Sequence, residues 1–327
     1  MSKQIGILSG LLTVGASAAF VLTWSSGFLV AAIGTVDVAP TTLLVWRFVP
    51  IALVLLAVTF ATGAFRGVRR DDIQSQVIIG FFAQFGYCAC VYGSIAIGIT
   101  TGTTALIDAV QPLVVATLVG PLLGLRVRGA QWIGLGVGAV GVVLVVQSQI
   151  GGSDAAPIAY LLPALAMVCL IAGTFVERRT QNQPPVLVTL TVHVTVTAVV
   201  LTAIAVATGT LVPPASVSFW VATAVAALSP TLAAYGLYWW LLRRIGVTAL
   251  NALLFLVAPT TALAGSVLLG EPLTLLTLAG FVLCGAGVAV VLVSEARAAR
   301  FRRATDDSGA HATNPHASNR QALSFHS

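Results

Sequence analysis

The sequence predicts an all-α integral membrane protein whose ten transmembrane helices form two inverted five-helix repeats. Of the 327 residues, 58% are hydrophobic and only 8% are charged, whereas soluble domains carry roughly a quarter charged residues. Apolar runs of about 20 residues, each long enough to cross a bilayer, recur along the whole chain. The basic residues collect in every second connection between these runs, as the positive-inside rule requires.

The apolar runs are predicted to be helices because hydrocarbon offers no partner for backbone N–H and C=O groups, and a helix pairs them internally. None of the runs alternates as the strands of a membrane barrel do. The connections fall where glycine, proline, aspartate and arginine gather. The ten predicted spans cover residues 8–32, 41–62, 74–97, 101–123, 130–147, 156–176, 186–208, 218–241, 248–269 and 274–294.

The distribution of basic residues predicts the orientation of these spans. Fifteen of the sixteen Lys and Arg residues precede span 1 or follow spans 2, 4, 6, 8 and 10, and the sixteenth, Arg47, lies inside span 2. The positive-inside rule therefore predicts a multi-pass protein of the cytoplasmic membrane with both termini in the cytoplasm. The fifteen are Lys3, Arg66, Arg69, Arg70, Arg126, Arg128, Arg178, Arg179, Arg243, Arg244, Arg297, Arg300, Arg302, Arg303 and Arg320.

The second half of the chain repeats the first half with an offset of 147 residues, which becomes 146 after a pair of aligned prolines. An offset that aligns prolines, glycines and aromatic residues indicates an internal repeat. The aligned positions include 19–28 with 166–175, Tyr92 with Trp239, Pro112 with Pro259, 122–128 with 268–274, Gly134 with Gly280 and 141–145 with 287–291.

Five spans per repeat is an odd number, so the second copy enters the membrane from the opposite face. Inverted repeats are typical of secondary transporters, which bind their substrate near the midplane between the two copies. We divide the chain into a first repeat (1–147), an outer linker (148–155), a second repeat (156–294) and a disordered cytoplasmic tail (295–327).

The stretch from Tyr235 to Val293 has an aromatic-rich helix, a short basic turn, a helix with a central proline, an LGE turn at 269–271 and a glycine-rich helix. It resembles an EamA-type domain of the drug/metabolite transporter superfamily, and the first half is similar. The first copy departs from the family pattern at Leu125, which stands where the family often has glutamate. Glu271 itself, followed by Pro272, is interpreted as the start of the last helix.

The resemblance implies a transporter that moves a small metabolite, often exporting an amino acid or a related compound. It implies no enzymatic activity and no cofactor, and the sequence offers no metal or nucleic-acid site. The expected partners are a small-molecule substrate and the lipid bilayer, with the chain as a monomer or a homodimer. Two alternatives remain open: a flippase for a lipid-linked substrate, and a membrane-embedded transferase.

Three ionisable residues lie deep inside predicted spans, where charge is costly and marks function. Arg47 either binds a substrate carboxylate through its guanidinium fork or forms a structural lock with Asp108 or with helix carbonyls. His193 either relays protons or donates to a neighbouring helix. The two lie at similar places in spans 2 and 7, so we expect them to be rough symmetry partners.

Asp108 begins the sequence DAVQP, in which Gln111 lies on the same helical face and Pro112 removes a helical hydrogen bond. These groups are predicted to converge at mid-membrane, where they would bind a substrate ammonium or a coupled proton. Loss of surrounding water favours the protonated form of any carboxyl group, which suits a proton carrier. The alternative is a hydrogen bond between helices.

The remaining candidate site residues are aromatic or hydrogen-bonding side chains in corresponding helices of the two copies. The aromatic ones are predicted to form a cavity wall or to anchor the helices at the membrane interface. Pro112 and Pro259 are predicted to interrupt their helices at the midplane. The other candidates are Trp24, Tyr87, Tyr92, Thr104, Tyr235, Tyr238, Trp239 and Asn251.

A reporter fused to the C-terminus tests the predicted orientation. Because the basic loops alternate without exception, the reporter should be found on the cytoplasmic side of the membrane. Protease protection in intact cells measures this directly. A reporter that is found outside the cell would contradict either the orientation or the even number of spans.

Overall fold

The computed structural model describes residues 2–35, 37–98, 104, 108–109, 111–124, 127–147, 157–180, 182–269 and 274–312. The regular elements in these residues are all helical. Two π-helical segments, Phe81–Gly86 and Ala227–Ala233, join α3 to α4 and α9 to α10. The helices are α1 (Ser2–Gly34), α2 (Pro40–Ala61), α3 (Arg70–Gly80), α4 (Tyr87–Ala96), α5 (Gln111–Leu123), α6 (Gly129–Gln147), α7 (Leu161–Arg179), α8 (Val186–Thr208), α9 (Val217–Ala226), α10 (Ala234–Ile245), α11 (Val247–Leu254), α12 (Val257–Leu269) and α13 (Leu275–Ala312).

Within the described residues, eight helices are long and apolar enough to cross a membrane, which confirms the predicted class of membrane protein. They coincide with eight of the ten predicted spans. The other two predicted spans, 101–123 and 130–147, contain the shorter apolar helices α5 and α6. The eight candidates are Gly10–Gly34, Pro40–Ala61, Arg70–Ala96, Ile158–Arg179, Val186–Thr208, Val217–Ile245, Val247–Leu268 and Leu278–Ala298.

The last helix, α13, continues to Ala312 and so includes residues that the sequence analysis assigned to a disordered tail. Residues 295–304 read EARAARFRRA, and alanine, arginine and glutamate are strong helix formers, which explains the continuation. The predicted linker at 148–155, the turn that contains Glu271, and the tail from 313 lie outside the described residues.

Each of the first five predicted spans packs against a span of the second half. The helix formed by α3, its π-helical segment and α4 packs on α7, and α1 packs on the helix formed by α9, its π-helical segment and α10. The other contacts are α2 with α8, α5 with α11, and α6 with α13. Side chains from both halves therefore fill one continuous buried core.

The contact between α6 and α13 depends on glycines that face each other within one chain. A Cβ added at Gly134 would lie 2.7 Å from the Gly287 carbonyl oxygen, and one at Gly141 would lie 2.7 Å from the Gly280 carbonyl oxygen. The two backbones approach so closely that only glycine fits at these positions, as in other membrane helix pairs with small residues at the contact. These two glycine-rich helices thus pack against each other within one chain.

Replacing Gly287 by alanine should loosen this contact. The new Cβ would lie 2.5 Å from the Gly134 carbonyl oxygen and 2.6 Å from the Gly138 nitrogen, both backbone atoms that cannot turn aside. We expect the free energy of unfolding to fall by about 1–3 kcal/mol, the usual cost of overpacking a core. Thermal unfolding in detergent measures the change.

Gly285→Ala is the matched control, since it lies on the same helix and a Cβ there meets nothing within 4 Å. It should unfold at the wild-type temperature or above, because alanine favours a helix more than glycine does. Equal melting temperatures for both variants would contradict the glycine contact.

Candidate functional site

A small cavity of about 30 Å³ lies among predicted spans 1, 2, 3 and 8. It therefore borders residues from both halves of the chain. Four of its ten lining residues, Trp24, Tyr87, Tyr92 and Tyr235, are aromatic residues that the sequence predicted as candidates for a cavity wall. The lining residues are Trp24, Gly27, Phe28, Arg47, Tyr87, Cys88, Val91, Tyr92, Pro230 and Tyr235.

The guanidinium of Arg47 provides the positive charge of this cavity. Only 2% of the residue is exposed to solvent. Nε donates to the Thr231 hydroxyl at 2.6 Å, and Nη1 donates to the Tyr92 hydroxyl at 2.8 Å. The guanidinium carbon lies 4.7 Å from the centre of the Phe48 ring and 5.4 Å from that of Tyr92, so both rings contribute cation–π contacts.

The position of Thr231 follows from the proline that precedes it. Pro230 has no N–H for the carbonyl of Ala226, four residues earlier, and its ring pushes that carbonyl aside. The helix widens into a π-helical segment there, and the Thr231 hydroxyl donates to the Ala226 carbonyl at 2.8 Å. The same hydroxyl oxygen accepts from Arg47. The helix defect thus supplies the group that orients the guanidinium.

Arg47 forms no ion pair in the described part of the chain, where the two ion pairs join Arg69 to Asp71 and Arg243 to Glu177. Its hydrogen-bond partners are neutral hydroxyl groups. A buried charge normally requires an opposite charge to offset the loss of water. A cavity that borders such a guanidinium is therefore suited to an anionic group, and the predicted lock between Arg47 and Asp108 is not formed.

Trp24 is the centre of the aromatic wall. Its ring lies 5.2 to 5.6 Å from the rings of Tyr87, Tyr235 and Tyr238, and it is stacked on Tyr238 with an interplanar angle of 29°. Offset and tilted arrangements of this kind are favoured between aromatic rings. The phenol groups are held as well, since Tyr235 donates to the Ala83 carbonyl at 3.0 Å and Tyr238 bonds to the Thr174 hydroxyl at 2.6 Å.

Asp108 is one tyrosine removed from the cavity. The Tyr87 hydroxyl, which lines the cavity, donates to Asp108 Oδ2 at 3.0 Å. Asp108 is 6% exposed, and its second oxygen, Oδ1, has no hydrogen-bond partner among the described residues. The carboxyl group therefore has one oxygen held by a tyrosine and one buried oxygen without a hydrogen-bond partner among the described residues, and the side chain of Trp24, which also lines the cavity, interacts with it.

Gln111 does not join Asp108 as the sequence predicted. Its Nε2 donates to Asn251 Oδ1 at 3.1 Å, and Asn251 Nδ2 donates to the Val247 carbonyl at 2.8 Å. This pair links α5 to α11, so both amides serve helix contact in this conformation. Thr104 is buried and bonds to the Ser94 hydroxyl at 3.3 Å, which links it to α4.

The two midplane prolines are both buried. Pro259 lies just after the interruption between α11, which ends at Leu254, and α12, which begins at Val257. It has no N–H for the carbonyl of Phe255, which explains why one predicted span is two helices. Pro112 is the second residue of α5, and the helix that precedes it is only partly described.

His193 lies outside the cavity, in a polar cluster near the ends of α3, α7 and α10. Its Nε2 is 2.8 Å from Gln76 Oε1, and its ring lies 5.1 Å from the Trp239 ring. Gln76 in turn donates to Glu177, which is ion-paired with Arg243. The structure thus places His193 and Trp239 together, away from Arg47 and Asp108.

Several residues of the site have no clear signal in the sequence. Thr231 is an ordinary threonine until the bonding around Pro230 is known, and a proline in the middle of predicted span 218–241 was the available signal. The sulfur of Cys88 is 3.5 Å from the Tyr235 hydroxyl. Cys88 lies 147 residues before Tyr235, so the repeat offset aligns these two positions. Glu177 was hidden because it precedes Arg178 and Arg179 in what the sequence analysis treated as a cytoplasmic connection.

Comparison with known proteins is consistent with this architecture. The chain matches the EamA-like transporter family over residues 8–147 and again over residues 150–293. It is 23% identical over 302 residues to a protein of Salmonella typhimurium (strain LT2) named "Probable amino-acid metabolite efflux pump", covering 88% of this chain and 94% of that protein.

A solved crystal structure of a protein has the same fold, with a TM-score of 0.71 and 21% sequence identity over 87% of this chain and 98% of the other. Eight apolar helices of membrane-spanning length and two family matches that together cover nearly all of residues 8–293 agree with each other. The chain belongs to the EamA-like transporter family.

Proposed function

We propose that this protein is a secondary transporter that exports a small carboxylate-bearing metabolite, an amino acid or a related compound, across the cytoplasmic membrane. In this proposal ten helices form two inverted halves, both termini lie in the cytoplasm, and the cavity opens alternately to the two faces. The substrate carboxylate binds to Arg47, and its apolar part contacts the wall formed by Trp24, Tyr87 and Tyr235.

The observation that carries this proposal is the buried guanidinium of Arg47, which lies at the edge of an aromatic cavity and has no ion-pair partner among the described residues. Thr231 and Tyr92 hold it through Nε and Nη1, which fixes the plane of the fork. A preoriented guanidinium binds a planar carboxylate more specifically than an ammonium would. The name of the Salmonella relative, an amino-acid metabolite efflux pump, supports the same substrate class.

Some contacts between the two halves support the inverted arrangement, because shifting their residue numbers by the repeat offset converts one contact into another. The backbone contact of Gly134 with Gly287 corresponds to that of Gly141 with Gly280 when each number is shifted by 146. Such reciprocal contacts are what a two-fold axis produces between like surfaces. The two π-helical segments also start 146 residues apart, at Phe81 and Ala227.

A second pair of close contacts lies beside the cavity and matches the offset to within one residue, since a shift of 147 relates Pro230 to Ala83 but relates Gly27 to Thr174, the neighbour of Gly173. A Cβ added at Gly27 would lie 3.2 Å from the Pro230 side chain, and one at Gly173 would lie 2.5 Å from that of Ala83. The cationic and imidazole groups follow the same pattern, since Arg47 lies against Tyr92 and His193 lies against Trp239. These contacts support a pseudo-two-fold axis between the two halves. The axis would pass close to Cys88 and Tyr235, because these two residues are 147 positions apart and contact each other.

Asp108 is the residue we propose for proton coupling. It is buried, its Oδ1 has no partner among the described residues, and Tyr87 connects it to the cavity. A substrate that displaces or reorients Tyr87 would change the hydrogen bonding of the carboxyl group. This provides a direct route by which substrate binding and proton binding influence each other.

Transport in proteoliposomes tests the proposed substrate class. Candidate substrates come from comparing the culture medium of cells with and without overexpression of the protein, and each is then assayed beside its carboxamide analogue. The protein should move the carboxylate and reject the amide. Movement of a lipid-linked substrate instead would favour a flippase, and chemical conversion of the substrate would favour a transferase.

Arg47→Gln should raise the KM for the carboxylate substrate by about 10- to 100-fold, the effect of losing a hydrogen bond to a charged group. The same variant should lose its discrimination against the amide. Arg47→Lys keeps the charge but not the fork, so its KM should lie between the two. A variant that keeps both the wild-type KM and the wild-type discrimination would contradict substrate contact by Arg47.

Asp108→Asn should abolish transport driven by a proton gradient while gradient-free exchange of substrate continues, because the amide cannot release a proton. Tyr87→Phe is the matched variant, since it removes the hydroxyl that contacts Oδ2 and leaves the carboxyl group in place. It should retain gradient-driven transport with altered kinetics. Undiminished gradient-driven transport in Asp108→Asn would rule out this residue as the proton carrier.

A further inference from the structure

Glu177 is a fully buried carboxylate at the end of α7 that the proposed binding site does not use. Arg243 of α10 donates to its Oε1 through Nη2 at 2.6 Å and through Nε at 3.0 Å. Gln76 of α3 donates to its Oε2 at 2.7 Å. Both carboxylate oxygens are therefore occupied by donors from two other helices.

The same groups extend the network to α8. Arg243 also donates through Nη1 to the Pro184 carbonyl at 2.6 Å and through Nη2 to the Thr189 hydroxyl at 3.0 Å. Gln76 uses its Oε1 to contact His193 Nε2. One ion pair and its hydrogen bonds thus connect the ends of four helices, α3, α7, α8 and α10, together with the chain that leads into α8.

This network lies at the basic end of the bundle, which the positive-inside rule assigns to the cytoplasm. Arg178 and Arg179 directly follow Glu177, and Arg244 directly follows Arg243. Along α10, Arg243 lies eight residues from the cavity residue Tyr235, a distance of about 12 Å at the helical rise per residue. The network therefore lies between the cavity and the basic end of the bundle.

The opposite end of the bundle has no corresponding ion pair in the described part of the chain. Shifting Glu177 and Arg243 back by the repeat offset of 147 leads to Val30 and Ala96, which carry no charge. There α2 is joined to the chain after α8 by neutral groups, with Thr41 bonded to the Thr210 hydroxyl at 2.7 Å and Trp46 donating to the Leu211 carbonyl at 3.0 Å.

We propose that the Glu177–Arg243 ion pair, with Gln76 and His193, is the latch that closes the cavity toward the basic end and separates in each transport cycle. This inference rests on the proposed alternating access. Separating the pair leaves a carboxylate without its partner, which is costly unless water enters with the opening and hydrates it. The two ends of the bundle are therefore unequal, and the empty protein favours access from the end without the ion pair.

Labelling of Cys88 from each side of the membrane tests the latch. Cys88 lines the cavity, and Cys90, Cys169 and Cys284 are the three cysteines to replace by alanine. A membrane-impermeant methanethiosulfonate is applied to inside-out and to right-side-out vesicles, without substrate. The test variant is Glu177→Gln with Arg243→Gln, which removes both charges and leaves neither one buried alone.

The double variant should label Cys88 about tenfold faster than the parent from the basic end and more slowly from the other end, as a shift between two states requires. A variant that keeps Glu177 and carries Arg243→Lys retains both charges, so its rates of Cys88 labelling should be close to those of the parent. Arg244→Gln is the matched control, because Arg244 stacks on Trp240 at 5.0 Å and donates to Thr13. It should label at the parental rates.

Faster labelling from both ends would mean general loosening of the bundle and would overturn the latch, as would unchanged rates. Melting temperatures of all variants identify any that are destabilised. Because labelling needs no substrate, the outcome is independent of the proposed cargo. One-sided labelling without transport would leave the latch standing and count against the proposed function, whereas transport without a one-sided effect would overturn the latch alone.

Discussion

A backbone carbonyl that loses its helical partner inside a bilayer must find another donor, and at Pro230 this requirement builds the candidate site. The proline leaves the Ala226 carbonyl without an N–H, the helix widens, and the Thr231 hydroxyl takes the vacant place. That hydroxyl then accepts from Arg47. A defect in one helix of the second half thus orients the charged group of the first half, which lets a guanidinium remain buried beside an aromatic cavity.

The cavity also depends on close packing between the two halves. Glycines bring α6 and α13 into backbone contact, and Gly27 lets α1 approach Pro230. Close contacts of this kind transmit small movements of one helix to its partner, since packed interfaces shift between discrete arrangements. The charge distribution is unequal along the bundle, with an ion pair at the basic end and neutral hydrogen bonds at the other. We regard this asymmetry as the reason why, in our proposal, the empty protein favours one of its two conformations.

The sequence predicted the membrane class, the positions of eight spans and the burial of Arg47 and Asp108, because composition and an ionisable residue inside an apolar run are visible without a fold. It did not predict the partners of these residues. Thr231 and Cys88 have unremarkable side chains whose roles arise from packing between distant helices. Gln111 was expected beside Asp108 but bonds to Asn251, since neighbours on one helical face can face different helices. Glu177 was missed because α7 continues through Arg179 and carries the carboxylate into the core.

In the proposed mechanism, the Arg47 guanidinium binds the carboxylate of the transported molecule. Solid-state NMR measures this contact in the bilayer when the arginine side chains of the protein carry ¹⁵N and the carboxylate of the ligand carries ¹³C. The same measurement on Arg47→Lys shows whether the coupling comes from Arg47. We predict a ¹³C–¹⁵N distance of about 4 Å, as expected for a bidentate pair. A ligand that is bound and shows no coupling to an arginine nitrogen, or a coupling that persists in Arg47→Lys, would contradict the account.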